Sequence, residues 1–200
     1  MRKAILHLKR ADPVLAQIIA RAGAYKIQYR EPSFQTLVRS IVYQQLSGKA
    51  ALTIFNRLLA AADDPLTPGA VLKLRPARMR ALGLSKQKLT YIRELARLTR
   101  DGQVNFSGLP ELEDAAIVEH LTRVKGVGVW TVHMFLIFAL RRPNVLPTGD
   151  LGVRAAMKKA YGLDALPKPK EMERIAQAWH PYCSVATWYL WRSLENQGAM

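Results

Sequence analysis

The sequence predicts an all-α protein, organised as one domain or as two lobes sharing a core, and three observations carry that prediction. Apolar residues recur at three- and four-residue spacing in almost every segment. Ser, Asp and Pro open these segments and Gly or Pro closes them. No run of alternating apolar and polar residues bounded by hairpin turns occurs anywhere in the 200 residues.

Taken in order, Asp12-Pro13 ahead of "VLAQIIARAG" reads as an N-cap followed by proline at the first helical position, with Gly23 as the stop. Ser33 opens "FQTLVRSIVYQQL", where Phe34, Leu37, Val38, Ile41 and Val42 mark one helical face, and "GKAALTIFNRLLAAA" continues the period. Short helices fit "PGAVLKL" and "RPARMRAL", the second ending at Gly83. Ser85 caps "KQKLTYIRELARLTRDG". Further helices are expected over about Asp114 to Arg123, over Val129 to Leu140, and from near Asp150. The last two run from Lys170 to Trp179 and from about Tyr182 to Asn196, parted by Pro181.

Composition narrows the function class. Thirty Lys and Arg against fifteen Asp and Glu give a net charge of +15, spread along the chain, which describes a folded basic face suited to nucleic-acid phosphates. The same charge could serve solubility alone. No uncharged apolar run approaches the roughly 18 to 20 residues of a membrane span. "MRKAILHLKRADP" lacks the small-residue cleavage site of a signal peptide, so a cytoplasmic, nucleoid-associated location is expected. One Cys, Cys183, rules out an internal disulfide, and four scattered His leave no zinc or iron–sulfur ligand cluster.

The most informative stretch is Leu121 to Arg154, "LTRVKGVGVWTVHMFLIFALRRPNVLPTGDLGVR". Two helices flank "VKGVG". Gly126 and Gly128 permit backbone conformations that a side chain would block, so their amides can face outward where the next helix dipole favours an anion. Lys125 adds a cation at the tip. Such a turn can grip a phosphate without reading bases. Asp150, after Pro147-Thr148-Gly149 and before a helix, is either an N-cap or a functional carboxylate, and the two roles are compatible.

"LTRVKGVGVWTVHMFLIFAL" followed by "VLPTGDLGVR" resembles the helix-hairpin-helix DNA glycosylase superfamily, most of all its 3-methyladenine DNA glycosylase II branch, which removes alkylated bases. "SIVYQQLSGKAALTIFNRL" is similar to that branch's upstream helix pair and "AWHPYCSVATWYLWR" to its closing helix. The likeness runs from about Phe34 to Arg192, and its most specific part is the hairpin, Trp130 and Asp150 in register.

The resemblance implies a two-lobed helical glycosylase fold with the active cleft between lobes and no β-rich N-terminal domain. Lobe one covers about 33–142, with the helix-hairpin-helix at 117–140, and lobe two covers about 1–32 plus 143–200. It implies a monomer acting on double-stranded DNA with damaged bases in base excision repair, excising 3-methyladenine and 7-methylguanine. Other lesions (ethenoadenine, hypoxanthine, uracil) and a non-catalytic DNA-binding module stand as alternatives.

In that reading Asp150 stabilises the oxocarbenium-like sugar. A cationic alkylpurine leaves as a neutral base, so no second carboxyl is needed. Trp130, Met134 and Trp191 take base-pocket positions, although the family leads one to expect tyrosine where Met134 stands, and Trp191 would serve equally as core. Trp130 stands where strand-cutting relatives carry a lysine, which predicts no lyase step. Gln45 plugs the vacated space and Leu46 wedges the stack, unless both are solvated surface. Lys125, Gly126, Val127 and Gly128 meet phosphate, and Arg154 steadies the carboxylate, touches DNA or forms a surface ion pair. No cofactor is required. A Na⁺ or K⁺ ion held by the Thr122, Val124 and Val127 carbonyls is implied only with DNA bound.

Overall fold

The structure is a computed structural model that describes residues 1–62 and 65–195, without the Glu195 side chain. The all-α expectation holds: among the described residues there are twelve α-helices, two 3₁₀ turns and no strand. Six of the helices begin on a side chain that caps them. Ser33, Ser47, Thr67 and Ser85 accept the N–H of Thr36, Ala50, Ala70 and Lys88, and Asp12 and Asp150 do the same for their helices.

The chain divides into two compact units. One is Arg30–Phe135, against a sequence-based estimate of about 33–142. It contains α3 (Phe34–Tyr43), α4 (Gly48–Ala61), α5 (Pro68–Lys73), α6 (Pro76–Ala81), α7 (Lys86–Arg100), α8 (Asp114–Thr122) and most of α9 (Val129–Phe138). Helix α7 is its axis, packed by α3, α5 and α6, with Ile92 and Leu95 fully buried beside Leu37, Val38 and Ile41 in the core.

The other unit joins Met1–Tyr29 to the chain from Leu136 onward. It contains α1 (Arg2–Ala11), α2 (Pro13–Ala22), α10 (Leu151–Ala160), α11 (Pro169–Ala176) and α12 (Cys183–Glu195). Its core gathers Leu8, Leu15, Ile19, Val153, Met157, Met172, Trp179 and Tyr189. Asp12 ties this unit's two sequence segments together: one oxygen caps α2 through Val14 and Leu15, and the other accepts Tyr161 Oη–H at 2.6 Å and Trp179 Nε1–H at 2.8 Å.

Helix α1 is not among the helices expected from the sequence, and three segments end differently from that expectation. Helix α3 stops at Tyr43, so Gln44, Gln45 and Leu46 form a turn rather than its last residues. Gln45 takes φ 55°, a left-handed conformation that no helix continues through. Helix α9 stops at Phe138, two residues early, because Arg141 is left-handed (φ 56°) and Arg142 N–H returns to the Leu136 carbonyl at 2.9 Å. The segment after α11 tightens into a 3₁₀ turn, Gln177–Trp179. Of the expected closing helix, Asn196 lies outside the described residues.

Candidate DNA-gripping hairpin and buried carboxylate

In the Arg30–Phe135 unit, α8 and α9 flank the turn 123–128. Val124 and Val127 are buried and Val127 N–H closes the turn on the Val124 carbonyl at 3.0 Å, which fixes the hairpin from inside. Thr122, half-buried, donates its hydroxyl to the Val118 carbonyl at 2.7 Å. Lys125 and Gly128 are exposed. Gly126 sits at φ 86°, and a Cβ there would lie 2.0 Å from Cδ2 of Tyr91, so the ring of Tyr91 on α7 excludes any side chain. Glycine is required at 126 twice over, by conformation and by space.

Beside the hairpin lies the turn Gln44–Leu46, with Gln45 and Leu46 both exposed. Hairpin, turn and the start of α7 line a shared concavity of about 600 Å³. Beyond the hairpin, Trp130 is 37% exposed in the first turn of α9, and Met134, one turn on and on the same face, is half-buried.

In the other unit, Asp150 is 8% exposed. Its Oδ1 accepts Val153 N–H at 2.8 Å, capping α10, and Trp191 Nε1–H at 2.9 Å. Both the donors and the helix N-terminus complement a negative charge. Phe138 stacks on Trp191 with ring centroids 5.7 Å apart at 15°. A Cβ at Gly152 would fall 3.1 Å from Asp150 Oδ1 and 3.2 Å from Trp191 Cδ1, so a glycine there lets the indole approach the carboxylate. Arg154 donates from Nε to the Pro167 carbonyl at 3.0 Å.

The structure thus brings Asp150 and Trp191 into direct contact and groups the hairpin residues with Gln45 and Leu46. Sequence reasoning missed Phe138, Gly152, Gln44, Lys88 and Tyr91. For Gly152 the pattern Asp-Leu-Gly at a helix start was a signal; for Lys88, one cation among thirty, there was none. His133 is half-buried, and burial lowers its pKa below the usual histidine range, consistent with a packed neutral ring. Burial pushes the Cys183 thiol up to about 12, which makes it inert. Among the described residues no group of three or more His, Cys, Asp or Glu could hold a metal ion, and no helix is long and apolar enough to cross a membrane.

Comparison with known proteins bears on both sites. Residues 38–181 match the HhH-GPD superfamily base excision DNA repair protein family. DNA-3-methyladenine glycosylase 1 of Schizosaccharomyces pombe is 31% identical over 200 residues, covering 96% of this chain and 87% of that protein. A putative DNA-3-methyladenine glycosylase of Bacillus subtilis, YfjP, is 32% identical over 169 residues, covering 81% of this chain and 59% of its own length. The solved structure of the S. pombe 3-methyladenine DNA glycosylase Mag1 in complex with abasic DNA superposes with a TM-score of 0.88 at 30% identity, covering 96% of this chain and 97% of that one.

Proposed function

Since the chain belongs to the HhH-GPD superfamily of base excision DNA repair proteins, we propose that it is an alkylbase DNA glycosylase that binds DNA and hydrolyses the N-glycosidic bond of 3-methyladenine and 7-methylguanine. The observation that carries the reading is Asp150, a buried carboxylate held through Oδ1 by a helix-capping amide and an indole N–H. A carboxylate so oriented needs little reorganisation as positive charge develops on the deoxyribose, which is how a fixed anion lowers such a barrier.

The other site residues take separate roles in this reading. Gly126, Val127 and Gly128 present the hairpin backbone to a phosphate and Lys125 adds a screened charge. A base inside duplex cannot be reached, so the nucleotide is extruded, Gln45 fills its place and Leu46 wedges the neighbouring stack. Trp130 and Met134 on α9, and Trp191 beside Asp150, are each assigned to contact with the cationic base, which stacks favourably on electron-rich rings. Arg154 braces the loop that follows α10 through Pro167.

The carbonyls of Thr122, Val124 and Val127 are a neutral oxygen set on a turn closed from within, which suits Na⁺ or K⁺ rather than a transition metal. Such an ion, held by these three carbonyls, would supply positive charge for a DNA phosphate. The protein acts as a monomer in the cytoplasm, at the nucleoid.

Mass analysis of bases released from methylated DNA tests the reading. Wild type should liberate 3-methyladenine and 7-methylguanine; release of only ethenoadenine, hypoxanthine or uracil from a lesion panel would replace the substrate, and release of nothing would leave a binding module. Because Trp130 supplies no amine, borohydride should trap no covalent enzyme–DNA adduct.

A further inference from the structure

The turn 44–46 contains an unusual element: Gln45 is a non-glycine residue at φ 55°, exposed at the tip. A left-handed side-chain-bearing residue persists only where its surroundings hold it. Leu46 N–H closes the turn on the Tyr43 carbonyl at 3.4 Å, and further restraint comes from Gln44 and from α7. Lys88 Nζ donates to the Val42 carbonyl at 2.7 Å and to the Gln44 carbonyl at 2.6 Å, gathering two backbone acceptors at the C-terminal end of α3, where the helix dipole also favours a cation. Gln44 Nε2 reaches the other way, donating to the Gly126 carbonyl at 3.0 Å and to Thr131 Oγ1 at 3.1 Å. Lys88 is half-buried, and desolvation lowers its pKa, so these bonds form in a partly dry setting where they count for more than on a surface.

Gly126 is the residue that Tyr91 clamps from α7, and Lys88 lies one helical turn before Tyr91. Helix α7 therefore braces both the hairpin and the turn, and Gln44 links them directly. From this geometry we infer that Gln44 and Lys88 are positioning residues that lock the Gln45–Leu46 turn to the phosphate-gripping hairpin, so that strand capture and insertion into the stack occur in one fixed register. The inference rests on the glycosylase reading above. Their proposed role is to hold the turn and the hairpin in register rather than to act on the reacting atoms.

The consequence is a separation of effects. Phosphate contacts at the hairpin give most of the affinity for undamaged DNA, whereas extrusion depends on where the turn stands relative to them. Gln44→Glu keeps the side chain's size but cannot donate to the Gly126 carbonyl, and Lys88→Met keeps the stem but loses the ammonium. Each should slow single-turnover excision from fully paired methylated duplex by about tenfold or more, since small misplacements of positioning groups are costly. Affinity for undamaged duplex at fixed salt should change by no more than about twofold. Excision should recover when the lesion sits opposite a mismatch, where extrusion is already easier. Amide hydrogen exchange at Gly126 to Gly128 should quicken in both variants, a readout that a purely local role at the turn would not move.

Equal losses of binding and excision, or no recovery on the mismatched substrate, would overturn the inference. If Lys88→Met does not fold, as thermal circular dichroism would show, Gln44→Glu decides alone. Wild type that releases no base would instead overturn the glycosylase reading, and the exchange measurement on Gln44→Glu would still decide whether turn and hairpin are locked.

Discussion

Asp12 and Asp150 stand in the same compact unit, each immediately ahead of a ten-residue helix, each no more than 8% exposed, each capping its helix with a carboxylate oxygen. Each also accepts a tryptophan indole N–H, from Trp179 at 2.8 Å and from Trp191 at 2.9 Å. Their surroundings separate them. Asp12 divides its donors between both oxygens, with two amides on Oδ1 and Tyr161 and Trp179 on Oδ2, and Trp179 is itself wholly buried. At Asp150 the amide and the indole converge on Oδ1, and that indole belongs to a half-buried residue stacked on Phe138 rather than to a sealed core. The lesson is that neither burial nor capping identifies a functional carboxylate. What distinguishes the two is whether the ring that donates the indole N–H is itself sealed in the core: Trp179 is, and Trp191 is not.

The sharpest way to break the comparison is to neutralise each carboxylate. Asp150→Asn retains a capping oxygen and should fold, yet base release should fall by about 10²- to 10³-fold, the usual cost of removing a fixed group that meets developing charge. Binding to undamaged duplex should stay near wild type in a filter or anisotropy titration. Asp12→Ala should do the opposite. Losing the cap and stranding the Tyr161 and Trp179 donors should lower stability by about 3 to 5 kcal/mol in urea unfolding, while activity per folded molecule is unchanged. Exchange of these two outcomes would mean that a half-buried indole donor does not mark the functional carboxylate.

Much of this contrast was legible in the sequence. Asp12-Pro13 announced a cap, and Asp150 stood twenty residues after Trp130 in a family register. The helices themselves followed from apolar spacing and caps, since those signals are local. What the sequence withheld is long-range. Nothing near Asp12 points to Tyr161 or Trp179, which lie 149 and 167 residues away, and nothing near Asp150 says that Trp191 would donate to it rather than line a pocket alone. The brace on the turn after α3 was hidden for the same reason, because Lys88, 44 residues on, donates to the Gln44 carbonyl.

A gentler cut separates the two indoles. Trp191→Phe keeps an aromatic ring against Phe138 but removes the N–H from Asp150 Oδ1. A carboxylate with one orienting bond fewer should lose about tenfold in kcat, roughly one charge-assisted hydrogen bond, with KM for duplex little changed. Trp179→Phe makes the matching cut at Asp12, and there the loss should appear in the unfolding midpoint instead of the rate.

The smallest effect comes from pH and touches Asp12 alone. Burial, then the hydrogen bond to Asp12, pushes the Tyr161 hydroxyl above its ordinary value, so in the folded protein it remains a protonated donor in alkali. A group whose folded pKa is raised contributes stability that is complete below the unfolded pKa, about 10 for tyrosine, and lost as pH climbs beyond it. At pH 10.5 that loss should be about 0.8 kcal/mol for this one hydroxyl. Tyr161→Phe abolishes it, so the variant, less stable than wild type at pH 8, should close part of the gap by pH 10.5 in urea titrations. Tyr25, raised by burial and by Tyr29, follows the same law in both proteins and cancels in the difference. A gap that stays constant across that range would mean the Tyr161 hydroxyl ionises as easily folded as unfolded, and that neither its partial burial nor the bond to Asp12 holds its proton.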